Sequence, residues 1–185
     1  MKLRRRTYGR KKKMIDRQFD CLHPQQALAM SYGSEAPVHY YDIPETERKE
    51  RVELTSDLCV IDEEHYFIRG CIEIPVLHSN EIFSWDVWVS LSEHNFDRTI
   101  ELWNTKGGEG EDPYFGWLST SLPGYPDTVN LKTNVHTREV GIRPFIELEP
   151  TDHPLAIEQR TGIAVKRVAE IKEIVTRFNQ EDDFE

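Results

Sequence analysis

Residues 83 to 91 alternate without a break: Phe83, Trp85, Val87, Val89 and Leu91 are separated by Ser84, Asp86, Trp88 and Ser90. Successive side chains of a strand point to opposite faces, so this run calls for a long strand with one buried side. Partners for it can be read on both sides. Upstream, Cys59-Val60-Ile61-Asp62 and His65-Tyr66-Phe67-Ile68 flank Glu63-Glu64 as a hairpin. A two-residue loop sets Ile61 opposite Tyr66, Val60 opposite Phe67 and Cys59 opposite Ile68, with apolar side chains on both faces. Ile72, Ile74 and Val76 then alternate with Glu73 and Pro75, and the proline marks an edge or a strand end. Downstream, Tyr114 to Ser119 reads as a strand. Val129, Leu131, Thr133 and Val135 alternate with Asn130, Lys132, Asn134 and His136, and after Gly141 the series Ile142, Pro144, Ile146, Leu148 alternates with Arg143, Phe145, Glu147, Glu149.

Helical signals lie between and after these strands. Gln25 to Met30 reads as a short helical turn, followed by a loop at Ser31 to Ser34. Pro44 opens a charged helix in which Glu47 and Arg51 pair on a solvated face. Ser90-Leu91-Ser92-Glu93 has the form of a capping box for a helix that buries Phe96, Ile100 and Trp103 and stops before Gly107-Gly108. Asp152 caps a short helix with Pro154 in its first turn and Gly162 past its end. A last helix turns Val168, Ile171, Val175 and Phe178 inward. Runs of strands with helices gathered around them define an α+β class: a mainly antiparallel sheet packed by two or three helices in a single domain. The domain occupies residues 20–179, between a basic disordered tail at 1–19 and an acidic tail at 180–185.

Charge is unevenly spread. The net charge is −10, yet residues 1–13 carry eight Lys or Arg and no acid, which leaves −18 for the remainder. A basic segment can contact phosphates, but an acidic body repels the same polymer, and only Tyr8 is interleaved to stack on a base. Nucleic acid is therefore set aside as the main partner. No run reaches the ~20 apolar residues of a membrane helix, and the basic start lacks the apolar stretch of a secretory signal. The expected setting is cytoplasmic. Three cysteines, Cys21, Cys59 and Cys71, contain no C-x-x-C and are read as reduced thiols.

Several runs are distinctive in combination: Leu54-Thr55-Ser56-Asp57-Leu58-Cys59-Val60-Ile61-Asp62, Phe67-Ile68-Arg69-Gly70, Trp88-Val89-Ser90-Leu91-Ser92, Pro113-Tyr114-Phe115-Gly116-Trp117-Leu118, Leu122-Pro123-Gly124-Tyr125-Pro126-Asp127-Thr128 and His153-Pro154-Leu155-Ala156. Together they resemble the bacterial domain-of-unknown-function family 2199, over about residues 20 to 165. The resemblance implies kinship without a reaction. It also implies an opening C-x-x-C-G with a nearby histidine, half of a zinc knuckle. Here Gln18 stands at the first cysteine's place, Cys21 at the second and Leu22 at the glycine. Cys21 and His23 fall short of the four ligands zinc requires, so no metal is carried over.

Candidate chemistry concentrates on the polar row Asn130, Lys132, Asn134 and His136, which can meet Arg143, Glu147 and Glu149 on a neighbouring strand. Such a row is either a ligand-binding face or a solvated face with cross-strand ion pairs. His136, Glu149, Asp152 and His153 have metal-ligand side chains but no ligand spacing. The aromatic set Trp85, Trp88, Phe115, Trp117 and Tyr125 suits a pocket or a core, and Trp88 projects with the polar side chains of its strand. No nucleophile elbow is present, and Asp57, Asp62 and Glu93 are the carboxylates placed for acid–base work.

These features favour a small binding or interaction module with no catalytic step, no cofactor and no metal, recognising a protein or small-molecule ligand. Its surface draws on Trp88, Tyr125, Asp127, Asn130, Lys132, Asn134, His136, Arg143, Glu149 and His153. The alternative is an enzyme whose polar site gathers Asp57, Arg69, Lys132, His136, Glu149 and His153. A deep pocket where those charges converge would mark the enzyme, and a shallow aromatic patch over paired charges would mark the binder.

Overall fold

The structure is a computed structural model that describes residues 27–182. The expected tail at 1–19, the Gln18, Cys21 and His23 comparison, and residues 183–185 lie outside the described residues. In chain order the elements are β1 (Ala27–Gly33), α1 (Val38–Tyr41), α2 (Glu45–Arg51), β2 (Val52–Leu54), β3 (Leu58–Ile61), β4 (His65–Pro75) and β5 (Glu81–Leu91). They continue with α3 (Glu93–Leu102), β6 (Tyr114–Leu118), β7 (Lys132–His136), β8 (Phe145–Leu148), α4 (Pro154–Thr161) and α5 (Val165–Asp182). The α+β class holds.

The alternating run becomes β5, and its apolar residues face inward as expected: Phe83, Val87 and Val89 are fully buried, with Trp85 and Leu91 nearly so. Each such side chain contributes about 1.5–3 kcal/mol by leaving water. β5 pairs with β4 in continuous antiparallel register from Tyr66↔Leu91 to Pro75↔Ile82. The inward residues of β4, including Ile68, Ile72 and Ile74, complete the same core cluster. Phe96 and Ile100 of α3, Leu155 and Ala156 of α4, and Val168, Ile171 and Val175 of α5 close over it.

The sheet is not an open antiparallel layer. β4, β5, β6, β7 and β8 pair in succession, and β8 returns to β4, closing a five-stranded barrel. Four of the barrel's pairings are antiparallel, and the closing one is parallel, at Cys71↔Phe145. A meander of five strands must close this way, because its first and last strands run in the same direction. β1 adds a second parallel pairing, on β5. Two glycines permit the closure. A Cβ on Gly70 would stand 2.6 Å from Ile146 Cδ1 and 2.8 Å from the Pro144 carbonyl, and one on Gly116 would stand 2.4 Å from Val89 Cγ1.

Other expectations are corrected locally. Ala27–Gly33 is a strand rather than a helical turn and a loop, because β5 offers it a free edge. The β3–β4 hairpin is shifted by one residue, with Ile61↔His65 and Val60↔Tyr66. Asp62 and Glu63 take positive φ, so the loop has three residues and not two. Helix α3 is capped by Ser92, whose side chain accepts from the Asn95 amide, two residues later than the capping box expected. β7 starts at Lys132 rather than Val129, because Asn130 turns the chain at φ 63°. Phe178 is 49% exposed, since α5 runs past the end of the core. The helix also continues through Asp182, into the stretch read as an acidic tail.

Gly70→Ala should lower stability by about 1–3 kcal/mol through overpacking at the closure. Gly110→Ala, where an added Cβ meets nothing within 4 Å, should change it by less than about 0.5 kcal/mol. Urea midpoints of the two variants check this, and equal midpoints would refute it.

Candidate functional site

On β6 the inward positions are taken by Gly116 and Leu118, which turns Phe115 and Trp117 outward. The two aromatic side chains are 42% and 40% exposed and meet edge to face at 5.0 Å between ring centroids. On β7, Thr133 and Val135 fill the core, so Lys132 lies beside Trp117 and Asn134 beside Phe115 on the outer face. The expected cross-strand pairs to β8 form there. Lys132 Nζ is 3.9 Å from Glu149 Oε2, and His136 Nε2 is 2.9 Å from Glu147 Oε2. The result is an aromatic patch beside paired charges, where each exposed pair contributes at most about 1 kcal/mol.

Next to Trp117 the surface sinks into an open cleft of about 430 Å³. Its exposed lining is His39, Glu64, His65, Trp117 and Asn130, with Ser90 half-buried and Tyr66, Phe67 and Leu91 buried. The three-residue hairpin loop brings Glu64 and His65 there. His39 is held by α1 against Phe67, at 5.4 Å between rings. Asn130 is held by its turn, its amide donating to the Leu118 carbonyl at 2.8 Å. The sequence reading chose Asn130 but missed His39, Glu64 and His65. Phe115 and Trp117 were in the aromatic set, and the small residue between them is the signal that turns both outward.

A second polar centre sits on the outer side of β4 and β5. Arg143 Nε donates to Asp57 Oδ1 at 2.8 Å, and its Nη1 donates to Asp86 Oδ2 at 3.0 Å. Arg69 Nη2 lies 3.5 Å from the same Asp86 oxygen, and its backbone amide donates to the Asp57 carbonyl. Burial, and then the neighbouring Arg143, pull the Arg69 guanidinium below its ordinary pKa against the pull of Asp86 and Asp57. Two arginines and two aspartates balance, which is the form in which charge tolerates burial. Arg143 therefore does not join the row on β7. It lies two residues ahead of β8, in the segment that meets β4 where the Cys71 amide donates to the Pro144 carbonyl.

Trp88 corrects the largest surface expectation. It is fully buried with Cys59, Ile61, Phe67 and Ile43, the last from the link between α1 and α2, and its Nε1 donates to the Ser34 carbonyl at 3.0 Å. The polar alternation around it reflects the adjacent ion network, with Arg69 5.9 Å over its ring, and not solvent. The reading of three reduced thiols also changes. Cys71 is disulfide-bonded, whereas Cys59 is a free buried thiol whose pKa burial pushes up to about 12.

The remaining selected residues are placed separately. Tyr125 donates to Glu158 Oε2 at 2.5 Å, and Arg167 bonds Glu158 and covers the tyrosine ring at 5.2 Å. Burial, and then Glu158, push the Tyr125 phenol above its ordinary pKa. Asp127 is exposed and accepts from the Val129 amide, as a turn residue does. His153, rather than Asp152, caps α4, its Nδ1 accepting from the Leu155 amide at 3.2 Å. Asp57 and Arg69 thus lie in the ion network, Lys132, His136 and Glu149 on the outer barrel face, and His153 at a helix end. Among the described residues no three His, Cys, Asp or Glu side chains gather as a metal site. A larger groove of about 780 Å³ between the end of β1 and α5, lined by Tyr32, Tyr41, Val175 and Phe178, takes Trp85 of the aromatic set and none of the ten surface candidates.

Asp57→Ala should cost about 3–5 kcal/mol, because it leaves Arg143 buried without its fully buried partner; chemical denaturation measures it, and a loss below about 1 kcal/mol would rule out a buried pair. Cys59 should resist alkylation in mildly alkaline buffer until the protein unfolds. Its raised pKa means that the stability it contributes is complete below about pH 8.5 and is lost as pH rises toward about 12. Rapid labelling of the native thiol would contradict this.

A family model described as "uncharacterized protein conserved in bacteria (DUF2199)" matches residues 19–163. No curated protein and no solved structure matches the chain. Among the described residues no helix is long and apolar enough to cross a membrane. The motifs from Leu54 to Ala156 all fall within the matched span, and the chain belongs to this uncharacterised bacterial family.

Proposed function

We propose that the protein is a non-catalytic binding module whose ligand seats on Trp117 and in the cleft beside it. One observation carries the reading: two large aromatic side chains in edge-to-face contact, Phe115 and Trp117, stand 42% and 40% exposed on the barrel wall, and Trp117 lines a cleft. Aromatic rings left in water on regular structure, rather than on a loop, are the usual anchors of recognition. The flanking polar pairs Lys132–Glu149 and His136–Glu147 support the same reading, because they can orient a ligand without reacting with it.

The catalytic alternative draws less support. Its residues Asp57, Arg69, Lys132, His136, Glu149 and His153 fall into three separate neighbourhoods, and acid–base work needs its groups within hydrogen-bond reach of one substrate. The partner is a protein or small molecule, and the setting is cytoplasmic. Three cysteines, an odd number, suit a reducing compartment, while the disulfide at Cys71 runs against it. Fractionation of host cells decides the compartment.

A fragment library screened by amide chemical shifts should give binders whose shifts cluster at His65, Ser90, Trp117 and Asn130. Trp117→Ala should abolish those shifts while changing stability by less than about 0.5 kcal/mol, as expected for an exposed position. Binders that cluster elsewhere, or that ignore the substitution, would refute the site.

A further inference from the structure

Resting on that assignment of the cleft, we infer the charge class of its ligand: a small organic cation carrying an alkylated ammonium group. Among the described residues the lining contains no Lys or Arg. Its exposed aromatic side chains are Trp117, His39 and His65, and its one carboxylate, Glu64, is exposed beside them. The Lys and Arg of the flanking strands and helix have acidic neighbours. Lys132, beside Trp117, faces Glu149, and Arg51, behind the hairpin loop, is held by Glu47 and Asp62 at 2.7 Å each. An anion entering the cleft would meet the Glu64 carboxylate and no Lys or Arg side chain.

A cation meets the opposite situation. The face of an aromatic ring carries negative charge density, tryptophan most strongly, and attracts an ammonium group within about 6 Å of its centroid. Glu64 adds an opposite charge at the open side. The body of the chain beyond residue 13 carries −18, which raises the local concentration of small cations and lowers that of anions. The open mouth leaves room for a substituent on the nitrogen.

The test compares choline with its neutral carbon isostere, in which carbon replaces the quaternary nitrogen, and with glucose. Binding is followed on the Trp117 indole N–H resonance, assigned with Trp117→Phe. Choline should shift that resonance and the His65 and Asn130 amides, and the isostere should bind about tenfold more weakly. Trp117→Ala should remove choline binding, and Glu64→Gln should weaken it severalfold. Equal binding of the isostere, or preferential binding of glucose at the same resonances, would overturn the charge class and leave the cleft as a binding site. Choline shifts outside the cleft, or none, would overturn the inference, and the fragment screen would then judge the cleft on its own.

Discussion

The return of β8 to β4 at Gly70 is the contact on which the rest of the molecule depends. With a side chain there, Ile146 and the Pro144 carbonyl could not approach, and the Cys71 amide would lose its 2.9 Å bond to Pro144. Once the strands close, every residue on β6, β7 and β8 is assigned to the inside or the outside. Leu118, Val135 and Ile146 go in and are fully buried. Phe115, Trp117, Lys132 and Asn134 are left out. The exposed aromatic pair is thus a consequence of closure, and its rigidity comes from the same source.

The charges of the molecule follow from the same geometry. Strands that continue past the barrel have a second face, and there Arg69, Asp86 and Trp88 are covered by the segment from Ser34 to Asp57. Charge can remain in that covered layer only if it is matched, and Asp57, Asp86, Arg69 and Arg143 match it. On the open barrel face matching is optional, because water does most of the work. The pairs found there leave the aromatic rings as the least satisfied part of that surface.

Much of this was legible in the sequence wherever a single local rule decides the outcome. The alternation from Phe83 to Leu91 fixed both strand and face, since a period of two has no other regular explanation. The pairing of β7 with β8, and with it Lys132 to Glu149, followed from two alternating runs joined by a turn. Trp88 was misplaced because alternation identifies two faces but not which layer covers the second one. Likewise the hairpin register turned on two residues adopting positive φ, which Asp and Glu do not announce. His153 reads as a possible ligand in the sequence because an imidazole that caps a helix has the same appearance there as one that binds. The closure itself needed contacts between Gly70 and Ile146, too distant along the chain for any local pattern to reveal.

Nuclear Overhauser contacts across the β4–β8 junction test the closed barrel most directly. Closure requires a strong contact between the Gly70 α-protons and the Ile146 δ1 methyl, together with a Cys71 amide that exchanges only on global unfolding. An absent contact and a rapidly exchanging Cys71 amide would mean an open sheet, and the outward placement of Phe115 and Trp117 would lose its physical basis.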